Sequence, residues 1–196
     1  MTRTLRVAAL LVVAAAAAAS VAFVAAASHL DVTDPTDTRG LLDVRRVESF
    51  GTTQPSWKIV TFSSWSRAEI FDTGYVTILF DTRAGPRPDY YVLVGSLGTR
   101  LYADLWRDRA TKPDRRVAGV KVWRAGNASV SIKLPLDRMV IGSERTFYGW
   151  SVETIFTGER CRRVCFDFVP DDGAVVEPLP VPSPTVTITP SPSPTN

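Results

Sequence analysis

The chain has 196 residues, enough for one domain with a substantial hydrophobic core and short extensions. Apolar residues make up 45% of it and charged residues 22%, which is ordinary for a globular protein. The formal net charge of +3 includes Arg3 and Arg6, which precede the first apolar run. The remainder is nearly neutral, so the charge balance argues against a nucleic-acid-binding protein.

The N-terminal segment has the three parts of a secretory signal. Arg3 and Arg6 precede an apolar run over residues 7–19, and the small residues at 25–27 form a cleavage site. We predict a signal peptide over residues 1–27, a secreted or cell-envelope location, and no membrane association after cleavage. The alternative is an uncleaved membrane anchor over residues 7–27, although the alanine-rich run is only weakly hydrophobic.

Four aspartates lie close together after this segment: Asp31, Asp34, Asp37 and Asp43. Ca²⁺ takes six to eight oxygen ligands and accepts carboxylates from irregular backbone, so the cluster is a candidate structural Ca²⁺ site. Its spacing is not that of an EF-hand loop. The alternative is a solvated loop in which aspartates accept backbone N–H bonds in turns.

Alternating apolar and polar residues predict β-strands over most of the following chain. In residues 75–81, Val76, Ile78 and Phe80 fall on one face. The predicted strands cover residues 41–50, 57–64, 75–81, 89–95, 98–106, 117–124, 128–134 and 146–157. About eight strands separated by turn residues predict an all-β antiparallel sandwich of the jelly-roll or immunoglobulin-like type.

One face of the predicted strand 98–106 carries a candidate ligand-binding set, namely Tyr102, Asp104 and Trp106. Binding sites combine aromatic surface with a few polar groups, and this face offers both. The alternative is that tryptophans of a sandwich pack in its core. We expect core packing for three of the others: Trp57, Trp123 and Trp150.

Residues 100–124 are rich in basic side chains, most of all in the loop over residues 107–116. One interpretation is a patch for anionic polymers such as wall phosphates or nucleic acid. The favoured interpretation is a solvated connection, because no aromatic residue interrupts the loop for base stacking.

Cys161 and Cys165 are the two cysteines of the chain. In an exported protein a lone pair most simply forms one disulfide. A zinc site needs about four ligands, whereas the single histidine, His29, lies far away in sequence. A redox pair usually has two intervening residues rather than three. We therefore predict a structural disulfide.

The composition changes abruptly at the C-terminal end. Seven of the 14 prolines lie in residues 178–196, among Ser, Thr and Val. Such a segment cannot bury a core, and we predict a disordered tail with polyproline II character. The predicted folded domain therefore covers residues 28–177.

Four stretches carry a resemblance to known proteins: DPTDTRGLLDV, YVTILFDT, PDYYVLVGSLGTRLYADLWRD and YGWSVETIFTG. Together they resemble a group of exported actinobacterial β-sandwich proteins and, more remotely, the DOMON and family 9 carbohydrate-binding-module sandwiches. The remote resemblance implies a module that binds a sugar or a cofactor, sometimes with a structural Ca²⁺. It places Asp81 and Asp89 beside the matching loop. The chain lacks the Met or His pair that a haem-binding member would need.

Three functions follow from these observations. The first is a secreted, non-catalytic module that binds a polysaccharide or another component of the cell envelope. The second is a structural or adhesive envelope protein that contacts another protein. The third is a jelly-roll glycoside hydrolase, which needs two carboxylates about 5–10 Å apart. Glu153, partnered by Glu69 or Glu144, is the best such pair.

Overall fold

The computed structural model describes residues 29–51, 54–66, 74–158 and 160–179. These residues form twelve β-strands and one 3-10 helix, Leu136–Arg138. In chain order the strands are β1 (His29–Thr33), β2 (Val44–Phe50), β3 (Ser56–Thr61), β4 (Gly74–Asp81), β5 (Tyr90–Leu97), β6 (Arg100–Arg107), β7 (Arg115–Gly119), β8 (Lys121–Gly126), β9 (Ser129–Lys133), β10 (Phe147–Gly158), β11 (Cys161–Val169) and β12 (Val175–Pro178).

The strands make two antiparallel sheets that pack face to face, so the predicted antiparallel β-sandwich is confirmed. A five-stranded sheet has the order β1-β2-β3-β9-β8. A seven-stranded sheet has the order β11-β10-β4-β5-β6-β7, and β12 pairs with the first part of β10. There are more strands than the expected eight or so, because β1, β11 and β12 are not among the predicted strands and one predicted strand is divided into β7 and β8.

The core between the sheets is built around Trp57, a fully buried side chain of the five-stranded sheet. Its ring lies edge-on to three aromatic rings of the opposite sheet, with centroid distances of 5.2 Å to Phe80, 6.2 Å to Trp150 and 6.3 Å to Tyr148. Trp57 and Trp150 therefore pack in the core as predicted. Truncating such a side chain to alanine costs about 3–5 kcal/mol.

The predicted faces of the central strands are confirmed. Val76, Ile78 and Phe80 of β4 are buried between the sheets, and the intervening residues are more exposed. β6 follows the same rule and buries Ala103 and Leu105, so the side chains at 102, 104 and 106 lie on the solvent face. The alternation thus decides which residues can meet a ligand.

The chain changes sheet at Val120. β7 belongs to the seven-stranded sheet and β8 to the five-stranded one, although sequence reasoning joined them in one strand. The Val120 N–H donates to the Ala103 carbonyl at 2.9 Å, which continues the hydrogen bonding with β6 by one residue beyond β7. β7 pairs only with residues 104–107, so the edge of β6 at residues 100–102 borders an open groove.

Cys161 and Cys165 form the predicted disulfide, with their Cα atoms 6.0 Å apart. In a regular strand this separation would be about 13 Å, so β11 bulges between the two cysteines. Phe156 pairs with Cys165 and Gly158 pairs with Cys161, which leaves two extra residues on β11. The bulge exposes Val164.

The described fold reaches Leu179, two residues past the predicted boundary. Val175–Pro178 pairs with β10, and the Leu179 N–H donates to the Thr146 carbonyl at 2.8 Å. The predicted signal peptide and residues 180–196 of the predicted tail lie outside the described residues. Within the described part of the chain, no helix has the length and apolar character needed to cross a membrane.

Candidate functional site

Trp106 and Tyr91 form an aromatic pair on the solvent face of the seven-stranded sheet. They lie opposite each other on β6 and β5, with ring planes 7° apart and centroids 6.4 Å apart. The Tyr91 hydroxyl donates to Asp114 at 2.9 Å, and burial followed by this bond raises the pKa of Tyr91 to about 12. The Trp106 Nε1 is buried and has no hydrogen-bond partner. The indole therefore offers a ligand its apolar ring surface.

Tyr102 extends the aromatic surface along β6. It pairs with Gly95 on β5, and a Cβ atom at Gly95 would lie 2.7 Å from the Tyr102 hydroxyl oxygen. Glycine at this position is what lets the Tyr102 ring lie against the sheet. Between the two aromatic positions, Asp104 accepts a hydrogen bond from Arg116 Nη2 at 2.7 Å. The three predicted residues therefore share one face, as the alternation indicated.

A groove of about 1100 Å³ opens beside this face, between β6 and β8. Tyr102 and Asp104 lie on its β6 side, and Lys121 and Trp123 lie on its β8 side. The Lys121 Nζ is 5.8 Å from the centroid of the Trp123 ring. The prediction that Trp123 packs in the core is wrong. β8 is an edge strand, which leaves this side chain half-buried at the groove.

The groove lining is strongly basic. It contains the cations of Arg100, Arg116, Lys121 and Arg124, whereas Asp104 is the one carboxylate among the described residues that line it. The Arg124 guanidinium is held 4.2 Å from the Trp65 ring centroid and bonds backbone carbonyls. Arg100 and Lys121 form no ion pair with any residue in the described ranges. This part of the chain can therefore attract an anionic ligand.

The opposite end of the same sheet face is apolar. On β11, Val164, Phe166 and Phe168 are each between 46% and 49% exposed. Phe168 pairs with Glu153 of β10, and burial raises the pKa of Glu153. This end offers hydrophobic contact area, with one partly buried carboxylate beside it.

The predicted glycosidase pair of Glu153 with Glu69 or Glu144 stays a prediction. Glu153 shares a row across the sheet with Asp104, three strands away, which is about 14 Å at the usual strand spacing. Glycosidase carboxylates are about 5–10 Å apart. Glu144 lies in the exposed turn before β10, and Glu69 lies outside the described residues.

Four aspartates meet at the edge of the sandwich where β11 passes the loop of residues 34–43, here called the acidic loop. One carboxylate oxygen from each of Asp34, Asp37, Asp43 and Asp167 lies within 4.8 Å of the others. Asp34, Asp43 and Asp167 are buried, and Asp37 is exposed. Three of the four predicted metal ligands are therefore brought together, and Asp167 is a member that sequence reasoning missed.

Asp31 lies outside this cluster. It belongs to β1, where its exposed side chain is 3.7 Å from Arg46. The regular strand directs it toward solvent, whereas Asp34 follows the end of β1 and turns inward. Asp167 occupies an inward-facing position of β11, and its Oδ2 accepts the Val44 N–H at 2.5 Å. An acidic residue at a buried strand position was the signal available in the sequence.

Charge repulsion and burial act together in the cluster. Burial, followed by the negative charge of Asp167, raises the pKa of Asp34 to about 7 and that of Asp43 to about 6. Burial also raises the pKa of Asp167. No basic residue of the described ranges forms an ion pair with any of the four. When its carboxyl groups are ionised, the cluster therefore carries negative charge that no cation of the described residues balances.

Asp81 and Asp89 have backbone-capping roles. Asp81 accepts the Arg83 N–H at 2.9 Å, and Asp89 accepts both the N–H and the hydroxyl of Thr82, at 2.9 and 3.0 Å. These bonds fix the loop between β4 and β5. This structural role accounts for the two carboxylates, and no bound ligand is needed to explain them.

No protein-family model, curated protein or solved structure matches the chain. The resemblance to exported actinobacterial sandwiches, and to the DOMON and family 9 carbohydrate-binding modules, stays a prediction.

Proposed function

We propose that the chain is an exported, non-catalytic β-sandwich that binds an acidic polysaccharide at the β6 end of the seven-stranded sheet. The observation that carries this proposal is the aromatic surface of Tyr91, Trp106 and Tyr102 beside a basic groove. Sugar rings present apolar C–H faces that pack on aromatic rings, and their carboxylate or sulfate groups pair with cations. The site has both kinds of surface within one continuous region.

Each residue of the proposed site makes a different kind of contact with the sugar chain. The Trp106 ring supplies apolar contact area, because its N–H is covered by the protein. The paired Asp104 and Arg116 offer an acceptor and donors for hydroxyl groups in a fixed orientation. Lys121 and Arg100, which form no ion pair within the described part of the chain, attract the acidic substituents of the sugar chain.

Export is supported by the charged, apolar and small-residue parts of residues 1–27 and by the Cys161–Cys165 disulfide. On this sheet face Glu153 and Asp104 are too far apart to act as a glycosidase pair, which supports a binding role there.

A second function, contact with another protein, is favoured by the apolar end of the face. Val164, Phe166 and Phe168 present aliphatic and aromatic surface with few polar groups for a sugar. The two proposals use opposite ends of one sheet, so substitutions can separate them.

The test is retention of the purified chain on insoluble polysaccharides, with acidic polymers such as alginate and pectate beside neutral cellulose and xylan. We expect binding to the acidic polymers and a loss of about tenfold in affinity for Trp106→Ala, which corresponds to about 1.4 kcal/mol of contact energy. Phe62→Ala is the matched control, because Phe62 is 40% exposed and belongs to the segment that follows β3 of the other sheet.

Three results would contradict the proposal. If the chain is retained on none of the polysaccharides, the proposal is wrong. The protein-contact function would then be supported if wild type captures a protein partner and Phe166→Ser does not. Equal losses in Trp106→Ala and Phe62→Ala would show that the site lies elsewhere. Release of soluble sugar that is abolished by Glu153→Gln would show that the protein is an enzyme.

A further inference from the structure

We infer that Asp34, Asp37, Asp43 and Asp167 form a calcium site that fastens the acidic loop to β11. This inference does not depend on polysaccharide binding. It rests on three features of the cluster: unpaired buried oxygens, the spacing of the carboxylates, and the chemistry of the donor set.

The first feature is that two buried carboxylate oxygens have no partner. Asp34 is 8% exposed and Asp43 is 3% exposed, yet Asp34 Oδ2 and Asp43 Oδ1 accept no hydrogen bond. A buried carboxylate oxygen without a donor is costly, and native structures usually satisfy such atoms. A bound cation would satisfy both oxygens, which receive no hydrogen bond from the described residues.

The second feature is the spacing. The four carboxylate oxygens lie within 4.8 Å of one another. Oxygens bound to one Ca²⁺ at about 2.4 Å are at most about 4.8 Å apart, so the four oxygens are close enough together to share one calcium ion.

The third feature is the donor set. All four side chains offer oxygen, which hard cations prefer, and none offers the nitrogen or sulfur that zinc sites use. Four carboxylates can supply four to eight oxygens, depending on how many bind through both. Asp37 is exposed, so the cation has a path from solvent and room for a water ligand.

The structural consequence follows from where the four ligands come from. Asp34 follows β1 and Asp43 precedes β2 of the five-stranded sheet, whereas Asp167 lies on β11 of the seven-stranded sheet. The Thr38 hydroxyl also donates to the Phe166 carbonyl at 2.7 Å, so the loop is already held against β11. A cation at this point would join the two sheets along their open side.

The experiment compares thermal unfolding of the purified full chain in excess EDTA and in excess CaCl₂, with calorimetric titration of CaCl₂ into the EDTA-stripped protein. We expect one calcium ion per chain and a rise of roughly 5–10 °C in melting temperature at a calcium concentration about 100 times Kd. Identical melting curves together with no calorimetric heat would overturn the inference.

Two variants locate the site. Asp34→Asn removes one charge from the cluster and keeps the shape, so it should unfold at or above the wild-type temperature in EDTA and gain much less from calcium than wild type does, because an amide oxygen binds Ca²⁺ more weakly than a carboxylate. Asp31→Asn is the matched control and should respond as wild type does, because Asp31 lies outside the cluster. An unchanged calcium response in Asp34→Asn would overturn the assignment of these ligands. An equal response to MgCl₂ would overturn the choice of calcium.

Discussion

At the β11 end of the sandwich, three carboxylates are buried side by side, whereas at the β6 end basic side chains line a groove that is open to water. Both regions collect charge of one sign, but the surrounding medium differs. Buried charges interact strongly because little water screens them, and exposed charges interact weakly. Substitutions in the acidic cluster should therefore change stability, and substitutions in the basic groove should change ligand binding.

The two regions also differ in how rigidly the fold holds them. Thr38 donates its hydroxyl proton to the Phe166 carbonyl of β11, and Thr154 of β10 donates its hydroxyl proton to the Leu42 carbonyl at 2.8 Å, so the acidic loop is bonded to two strands. In the groove, Lys121 contacts the Trp123 ring and remains exposed. A preorganised cluster suits a small ion, and an open groove suits a long flexible ligand.

The largest expected effect comes from Asp167→Ala. In calcium, this change removes a cation ligand and leaves the buried Val44 N–H without its acceptor, so we expect a loss of about 2–4 kcal/mol in the free energy of unfolding. Urea unfolding at neutral pH measures it. Asp31→Ala is the control and should stay within about 0.5 kcal/mol, since its ion pair is exposed. A loss below about 1 kcal/mol for Asp167→Ala would show that the cluster contributes little to stability.

The next effect is a pH dependence in EDTA. Asp34 and Asp43 have pKa values of about 7 and about 6, above the ordinary value of 3.8, so the folded chain binds more protons than the unfolded chain between these values. The stability that these two groups contribute should therefore be fully present below about pH 4 and should be lost as the pH rises through about 6 and 7. Asp167 has a raised pKa as well, and it acts in the same direction.

Melting temperatures in EDTA across this pH range measure the effect. Glu153, whose pKa is also raised by burial, adds a smaller slope of the same sign, so Glu153→Gln serves as the control. Asp34→Asn should flatten the profile more than Glu153→Gln does. A wild-type melting temperature that stays constant or rises between pH 5 and 8 would contradict the conclusion that the cluster holds buried charge that no cation balances.

Much of the fold could be predicted, because alternation within one strand is a local property. The pattern of β6 placed Tyr102, Asp104 and Trp106 on the solvent face, and the structure agrees. The sandwich class and the disulfide followed from equally local signals. These features need no knowledge of which strands become neighbours.

The rest depends on pairing between distant parts of the chain. Val44 and Asp167 meet although 123 residues separate them, and nothing local to β11 identifies the acidic loop as its neighbour. The change of sheet at Val120, which divides one predicted strand into two, could not be predicted for the same reason, because it depends on which distant strands become neighbours. Trp123 was misplaced for this reason too. Its strand, β8, lies at the edge of a sheet, where the side chain is only half-buried, whereas a position on a central strand would bury it.

The smallest expected effect comes from Lys121→Ala in the groove. Exposed charges contribute about 0–1 kcal/mol each, so affinity for an acidic polysaccharide should fall about two- to fivefold at low salt, and the free energy of unfolding should stay within about 0.5 kcal/mol. Affinity electrophoresis in gels that contain the polymer measures the binding. Lys112→Ala is the matched control, because Lys112 is also exposed but lies in the loop before β7.

The salt dependence of this loss separates an electrostatic contribution from a packing contribution. If Lys121 acts by charge, the difference between wild type and Lys121→Ala should shrink as salt is added, because the Debye length falls from about 10 Å at 0.1 M to about 3 Å at 1 M. A difference that persists at high salt would mean that the lysine acts by positioning the Trp123 ring, whose centroid lies 5.8 Å from the Lys121 Nζ. A loss equal to that of Lys112→Ala would place the anionic ligand outside the groove. The contrast between a buried acidic cluster and a solvent-screened basic site would then no longer explain binding.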